Sequence, residues 1–188
     1  MKKVFFFVAC CLTILACNNK PADTTTAKTD SVSTPAAEPK TPPQSEFADP
    51  KYTEMGKQMA EQLSKGDVDA WANNFADNAR YRWSSGDSLA GKAAILKYWK
   101  DRRTKVIDSL TFSSQVWLPI KVNRSQAEKA DIPGIWLLSW YQVNAKYKNG
   151  KKLVFFVHTD FHFDNADKVD VAIQYIDRAP INAALGMK

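Results

Sequence analysis

The most apolar run downstream of residue 47 covers residues 153–163, with the sequence LVFFVHTDFHF. Its aromatic and β-branched residues predict one long strand. Because successive side chains of a strand point to opposite faces, this strand has one apolar face and one that changes from apolar to polar along its length. The first face holds Leu153, Phe155, Val157, Thr159, Phe161 and Phe163, and the second holds Val154, Phe156, His158, Asp160 and His162. A bulge within the strand would exchange the two faces beyond it.

Helical spacing of apolar residues predicts three helices before this strand. The first begins at Asp49-Pro50, a capping residue followed by proline, and ends at Gly66. Asp67 caps a shorter second helix, and Gly91 opens a third. The apolar residues predicted to face inward are Tyr52, Met55, Met59 and Leu63 in the first helix, Val68, Trp71 and Phe75 in the second, and Ala94, Ile95 and Trp99 in the third.

Alternating apolar and polar residues predict further strands, over residues 79–83, 106–120, 136–147 and 169–175. On the 106–120 strand, the candidates for one broken apolar face are Leu110, Phe112, Val116, Leu118 and Ile120. Asn149-Gly150 is typical of a two-residue hairpin turn, and residues 164–167 form a second tight turn. Residues 123–133 are a polar loop, and residues 180–185 are a short terminal helix or tail. Helices followed by hairpin-connected strands predict an α+β domain with a mostly antiparallel sheet.

The first sixteen residues have the pattern of a secretory signal peptide. Lys2 and Lys3 precede an uncharged run that is shorter than the roughly 20 apolar residues of a stable membrane span. The run ends in ILAC, residues 14–17, which resembles the lipobox of bacterial lipoproteins, so Cys17 is the predicted lipidation site. All three cysteines lie in residues 10–17, and no disulfide, thiol nucleophile or cysteine-bound metal is expected downstream. The alternative is an ordinary secreted protein cleaved earlier, for example after Ala9, with unpaired cysteines left over.

The predicted organisation has three parts: a signal peptide over residues 1–16, a lipidated cysteine and linker over 17–47, and a folded domain over 48–188. Thr, Pro, Ala, Ser and Lys dominate the linker, which has almost no large apolar residues and is expected to be disordered. The lipid would hold the protein on a membrane of the bacterial cell envelope, at the periplasmic side or the cell surface.

Charge and motif content narrow the range of partners. The chain has a formal net charge of +6, which falls to +4 when Lys2 and Lys3 leave with the signal peptide. Lysine and arginine are dispersed, and no nucleic-acid-binding motif is present, so nucleic acid is not an expected partner. The sequence contains no glycine-rich phosphate loop, and we predict no cofactor.

The order of elements resembles the SnoaL-like branch of the nuclear transport factor 2-like superfamily. The segments that carry the resemblance are residues 71–81 (WANNFADNARY), 91–99 (GKAAILKYW) and 161–175 (FHFDNADKVDVAIQY). It implies a cone-like fold, in which a curved antiparallel sheet wraps around N-terminal helices and leaves an apolar cavity. It implies no single function, since the family includes isomerases, cyclases, dehydratases and epoxide hydrolases as well as non-catalytic binding and dimerising domains.

His158 and Asp160 are the candidate catalytic residues. They lie two residues apart on one face, where a carboxylate could orient an imidazole for acid–base chemistry near neutral pH. His162 continues the row, but neighbours at this spacing lie about 6–7 Å apart, so three in a row span too far for a compact metal site and no metal is predicted. The family resemblance instead implies that Phe161 and Phe163 face the cavity, which would turn His158, Asp160 and His162 to the outside of the sheet.

Aromatic residues are the second functional signal, because six tryptophans are dense for a domain of this size. They either fill a core or line a cavity that stacks on a flat apolar ligand. The residues predicted to line such a pocket are Trp71, Phe75, Tyr81, Trp83, Trp99 and Phe161. The sequence thus favours an envelope lipoprotein whose domain binds a small hydrophobic molecule without catalysis. The alternatives are a cofactor-free isomerase, lyase or hydrolase that uses His158 and Asp160, and a dimerising or scaffold domain, for example a homodimer.

Overall fold

A computed structural model of the chain describes residues 41–124 and 132–187. The predicted signal peptide, Cys17, most of the linker and the middle of the 123–133 loop lie outside these residues. The helices are α1 (Lys51–Lys65), α2 (Val68–Ala72), α3 (Lys92–Lys105) and α4 (Ala179–Leu185). The strands are β1 (Ser45–Phe47), β2 (Phe75–Trp83), β3 (Ser88–Ala90), β4 (Ile107–Val122), β5 (Gly134–Tyr147), β6 (Lys152–Phe163) and β7 (Val169–Tyr175). None of the helices described is long and apolar enough to cross a membrane.

The strands form one sheet in the order β1-β4-β5-β6-β7-β2-β3. Every neighbouring pair is antiparallel except β2 and β7, which run parallel. The sheet is curved and unclosed, and the helices pack on it, so the predicted α+β class with a cone-like antiparallel sheet is confirmed.

Strand β6 lies inside the sheet, paired with β5 on one side and β7 on the other. Its two faces are those predicted: Val157, Thr159 and Phe161 are buried against the helices, while Phe156 is 73% exposed on the opposite face. The register of β6 against β7 shifts only after His162, and the extra residue is on β7, so the faces of β6 are not exchanged.

Strand β4 does not have the one broken apolar face that was predicted for it. Ser114 has a positive φ of 50°, and the register against β5 shifts between Ser113 and Val116. This bulge turns Val116 to the exposed face of the sheet, whereas Trp117 packs its ring against Tyr141 on the helix side. Leu110 and Phe112 therefore do not share a face with Val116, Leu118 and Ile120, because a bulge reverses the alternation beyond it.

Two boundaries also differ from those predicted. Helix α2 ends at Ala72, so Phe75 is the first residue of β2 and not part of a helical stripe. Ser45–Phe47, at the end of the predicted disordered linker, form an edge strand because their backbone pairs with Ile120–Val122 of β4. Backbone hydrogen bonds can order such a segment without burying side chains, which a composition-based prediction does not register.

Helix α1 comes very close to the sheet at Gly56. A Cβ atom at this position would lie 2.6 Å from the Trp117 ring and 2.7 Å from Leu137. Glycine therefore allows the helix to sit directly on β4 and β5.

Candidate functional site

A cavity of about 130 Å³ lies between the helices and the inner face of the sheet. Aromatic side chains form much of its wall: Trp71, Tyr81, Trp83, Tyr98, Trp99, Phe112, Tyr141, Tyr147, Phe155 and Phe161. Five of the six predicted pocket residues are in this wall. The sixth, Phe75, is buried behind it, with its ring 4.6 Å from that of Trp71 and 6.5 Å from that of Tyr81.

The aromatic rings of α3 and β2 are packed on one another. The Trp99 ring lies 5.5 Å from that of Trp71 and 5.7 Å from that of Tyr98. The Trp83 ring lies 4.9 Å from that of Tyr81 and 5.1 Å from that of Tyr98. Offset and edge contacts at these distances are favourable, so this part of the wall is held in place by its own members.

Four polar side chains on the sheet side of the cavity form hydrogen bonds with one another. The Trp83 indole donates to Gln174 Oε1 at 3.0 Å, and Gln174 Nε2 lies 3.4 Å from Thr159 Oγ1. The Tyr141 hydroxyl is 2.8 Å from the same Thr159 oxygen. Burial raises the pKa of Tyr141, and it raises the pKa of Tyr81 well above its ordinary value, so both phenols stay neutral at physiological pH.

On the α3 side, by contrast, a donor is left without a partner. The Trp99 indole Nε1 is buried and makes no hydrogen bond. Arg102, one helical turn further along, also lines the cavity, and within the part of the chain described here it forms no ion pair. The second arginine of the wall, Arg178, is held by Asp87 at 2.6 Å.

The predicted catalytic pair lies on the other side of the sheet. His158 Nε2 is 2.8 Å from Asp160 Oδ1, and the imidazole is packed between Trp140 of β5 and Tyr175 of β7, with ring centroids 4.6 and 5.3 Å apart. Burial raises the pKa of Asp160, and the neighbouring His158 partly offsets this. The sheet separates both residues from the cavity, as the family resemblance implied.

His162 forms a separate pair with Asp170 and is not part of a row. Its Nδ1 lies 2.6 Å from Asp170 Oδ1, and its Nε2 lies 3.3 Å from the Pro133 carbonyl oxygen. The ring packs on Trp136, and it leaves no room for a side chain at Gly134, where a Cβ would be 2.7 Å from Nε2. Among the residues described, no group of three or more His, Cys, Asp or Glu side chains is arranged to hold a metal ion.

Several residues of the site were not predicted from the sequence: Tyr98, Arg102, Tyr141, Gln174 and Arg178. The i, i+3 spacing of Trp99 and Arg102 is a signal that could have placed Arg102 beside a predicted pocket residue. Gln174 alternates with Ala172 on the inner face of β7, so parity could have placed it inside as well.

No protein-family profile matches this chain, and no curated relative matches it. Several solved structures, however, are similar to it. An NTF2-like protein of unknown function from Burkholderia pseudomallei aligns with a TM-score of 0.55 and 11% identity, over 70% of this chain and 95% of its own. The epoxide hydrolase/cyclase-like enzyme SalBIII, involved in pyran ring formation in salinomycin, aligns with a TM-score of 0.52 and 17% identity, over 68% and 91%. A ketosteroid isomerase-like protein from Catenulispora acidiphila, in complex with trimethylamine, aligns with a TM-score of 0.52 and 12% identity, over 72% and 94%.

These likenesses define the class of fold. The domain has the α+β fold of these NTF2-like proteins, with an internal aromatic cavity, and the fold that the sequence resemblance implied is confirmed. Identities this low carry no information about the reaction or ligand, which have to be argued from the cavity itself.

Proposed function

We propose that this domain binds a small apolar molecule in its aromatic cavity and does not transform it. The observation that carries the proposal is the chemistry of the wall. The described residues that line the cavity include no aspartate, glutamate, histidine or lysine. General acid–base catalysis needs a group whose pKa lies near the working pH within hydrogen-bond reach of the substrate. Burial raises the pKa of Tyr81, Tyr141 and Tyr147, which moves these phenols further from that condition.

The runner-up function, acid–base catalysis by His158 and Asp160, is disfavoured by position. The pair lies on the face of the sheet opposite to the cavity, where the His158 ring contacts Trp140 and Tyr175. A molecule bound among Trp71, Trp83 and Trp99 is separated from the pair by the sheet backbone.

The cavity volume limits the size of the ligand. A dry apolar cavity of about 150 Å³ in another protein holds one benzene molecule. At about 130 Å³ this cavity fits one aromatic ring or a short alkyl chain. Helix α4 contributes Ile181 and Asn182 to the lining.

Cavity filling tests the proposal. Ala145 of β5 lines the cavity, and Ala145→Leu would occupy part of its volume. Ala93→Leu adds the same side chain on the exposed side of α3 and is the matched control. Single-ring probes such as toluene and phenol should quench or shift tryptophan fluorescence in the wild type and in Ala93→Leu, with much weaker binding in Ala145→Leu. Equal binding by all three proteins would place the probes elsewhere and contradict the proposal.

We further propose that Cys17 carries lipid and attaches the protein to a membrane of the bacterial envelope. The proposal is supported by the basic start, the uncharged run and the ILAC sequence at residues 14–17. In an expressing bacterium, labelled palmitate should be incorporated into the wild type and not into Cys17→Ser. Label retained by Cys17→Ser would count against this site.

A second candidate function is homodimer formation through the outer face of the sheet. The observation that favours it is a group of exposed apolar side chains, Val116, Trp140, Phe156 and Tyr175, of which three occupy one cross-strand row with His158. A symmetric dimer would bring this row of one copy against the same row of the other. Sedimentation should show a dimer that Phe156→Glu dissociates, whereas a monomer at all concentrations would exclude this function.

A further inference from the structure

We infer that helix α4 is a lid over the aromatic cavity and that a ligand enters when this helix moves away from the rest of the domain. The inference rests on the proposed binding function and adds the route by which a ligand reaches its site. Two side chains outside the described lining, Asp87 and Asn149, hold the two ends of the lid in the closed position.

Helix α4 and the residues that flank it form one wall of the cavity. Ile181 and Asn182 line the cavity from within the helix, Arg178 lines it just before the helix, and Met187 lines it just after. The chain turns back at Gly186, which has a φ of 70°, and the Met187 backbone N–H donates to the Asn182 carbonyl at 2.9 Å. The helix and its two flanks are therefore one unit of the wall that would move together.

The attachment of α4 is weaker than that of the other walls. Within Ala179–Leu185, Ile181 is the one buried side chain, whereas α1 buries Tyr52, Met59 and Leu63 among others. Isolated helices shorter than about 12–15 residues are marginal in water, so α4 depends on its tertiary contacts. The other walls consist of paired strands and of aromatic rings packed on one another. Because elements with few buried apolar contacts open at the lowest cost in free energy, α4 is the wall that should open first.

An ion pair holds the N-terminal end of α4. Arg178 Nη1 donates to Asp87 Oδ2 at 2.6 Å, and Asp87 lies in the turn between β2 and β3. The Arg178 guanidinium also lies 5.3 Å from the centre of the Trp83 ring, a cation–π contact. Both contacts break when this end of α4 moves away, so the environment of the Trp83 indole reports on the movement.

A hydrogen bond holds the C-terminal end of α4. Asn149 Nδ2, at the tip of the β5–β6 hairpin, donates to the Ala184 carbonyl at 2.9 Å. The Asn149 side chain also accepts from the Lys151 backbone N–H at 3.1 Å, which fixes its orientation. Both this contact and the ion pair join exposed groups. Exposed contacts of this kind have small free energies, so the closed lid can open readily.

Asp87→Ala removes the ion pair at the N-terminal end without changing the cavity wall. The Asp87 side chain is 65% exposed and lies outside the described lining. Asp69→Ala is the matched control, because the Asp69 side chain is also 65% exposed and pairs with Lys100 of α3 at 2.7 Å.

Asn149→Asp releases the C-terminal end. It keeps the oxygen that accepts from Lys151 and replaces the donating nitrogen by an oxygen, so the Ala184 carbonyl meets a negative charge instead of a donor. Asn123→Asp is the matched control, because Asn123 Nδ2 donates to the Pro43 carbonyl at the same distance of 2.9 Å, also between exposed groups.

NMR line shapes of the tryptophan indole N–H resonances, recorded during a titration of the full-length chain with phenol, give the association and dissociation rate constants. If the ligand passes only when α4 is open, a larger open fraction raises both rate constants by the same factor and leaves Kd unchanged. An exposed ion pair is weak, so we expect a factor of up to about five for Asp87→Ala. Asn149→Asp should act in the same direction, and both controls should keep the wild-type rate constants.

Amide hydrogen exchange without ligand is the second readout. The amides of Asn182 and Met187 should exchange faster in Asp87→Ala and in Asn149→Asp, whereas those of β6 should not change. Unchanged exchange in α4 would overturn the lid whether or not phenol binds. Unchanged rate constants in both variants, or a changed Kd at an unchanged association rate constant, would overturn the entry route and leave the binding function standing. If neither phenol nor toluene binds, the binding function itself is overturned, and the entry route with it.

Discussion

Replacing Gly56 by alanine is a sensitive test of how α1 packs on the sheet. Gly56 lies in the middle of the helix, and in an exposed helix interior the change from glycine to alanine stabilises by about 1 kcal/mol. Here the new methyl group would lie 2.6 Å from the Trp117 ring and 2.7 Å from Leu137, closer than Cβ contacts normally come. The intrinsic preference and the packing therefore predict opposite signs.

The size of the net effect follows from these two terms. Overpacking a well-filled interface by one methyl group costs about 1–3 kcal/mol, because side chains or backbone must move. Trp117 and Leu137 belong to β4 and β5, which are paired along most of their length, so neither can give way freely. Subtracting the helix-propensity gain of about 1 kcal/mol from this cost, we expect Gly56→Ala to lower the free energy of unfolding by up to about 2 kcal/mol.

Urea denaturation of the wild type and Gly56→Ala measures this difference. The propensity term is measured separately at Gln58, an exposed residue of the same helix, by comparing Gln58→Gly with Gln58→Ala. Alanine should be more stabilising than glycine at residue 58 and less stabilising at residue 56. If alanine stabilises both positions equally, the close approach of α1 to Trp117 is refuted.

Three further changes have expected outcomes. Tyr52→Phe removes the 2.6 Å hydrogen bond to the Asp167 carboxylate, which ties α1 to the turn between β6 and β7. Because Asp167 is partly exposed, we expect the free energy of unfolding to fall by about 1 kcal/mol in urea denaturation, and an unchanged midpoint would contradict this expectation. Because burial raises the pKa of Asp160, the stability that Asp160 contributes is present below the ordinary carboxyl pKa and is lost as pH rises through the raised pKa. Asp160→Asn should therefore increase the melting temperature at pH 7 but not at pH 3. The reverse order would be inconsistent with burial as the cause of the raised pKa. Hydrogen bonds from Lys105 and Lys97 lower the pKa of Asp101 to about 2. The stability that Asp101 contributes is therefore present above the unfolded pKa of 3.8 and is lost as pH falls toward 2. Asp101→Asn should accordingly make the melting temperature depend less on pH in acid.

The pattern of apolar residues predicted the helices and strands well, because most of these elements bury one apolar face and expose the other. Strand β6 is the clearest case, since its alternation matches the observed burial from Val157 to Phe161. Strand β4 shows the limit of such reasoning. Its bulge depends on Ser114 adopting a positive φ, and nothing in the local alternation distinguishes Ser114 from the serine before it.

The candidate site was predictable in part for the same reason. The tryptophans and tyrosines of α2, β2 and α3 could be assigned to a cavity wall because their elements bury them. Whether each polar atom finds a partner depends on contacts between elements far apart in sequence, such as Trp83 with Gln174. The unpaired Trp99 indole and the available Arg102 are visible only once those contacts are known. Likewise, spacing alone allowed His158 and Asp160 to face the cavity, and the orientation of the whole sheet decides that they do not.

The parallel pairing of β2 with β7 has a consequence for the order of folding. In the described sheet, β7 is the strand that connects β1-β4-β5-β6 to β2 and β3. Without β7, these two parts of the sheet share no hydrogen-bonded pair of strands. Pairs such as Arg82 with Ile173 close a long loop, and long loops form late and slowly. The pairing of β2 with β7 should therefore be among the last contacts of the sheet to form.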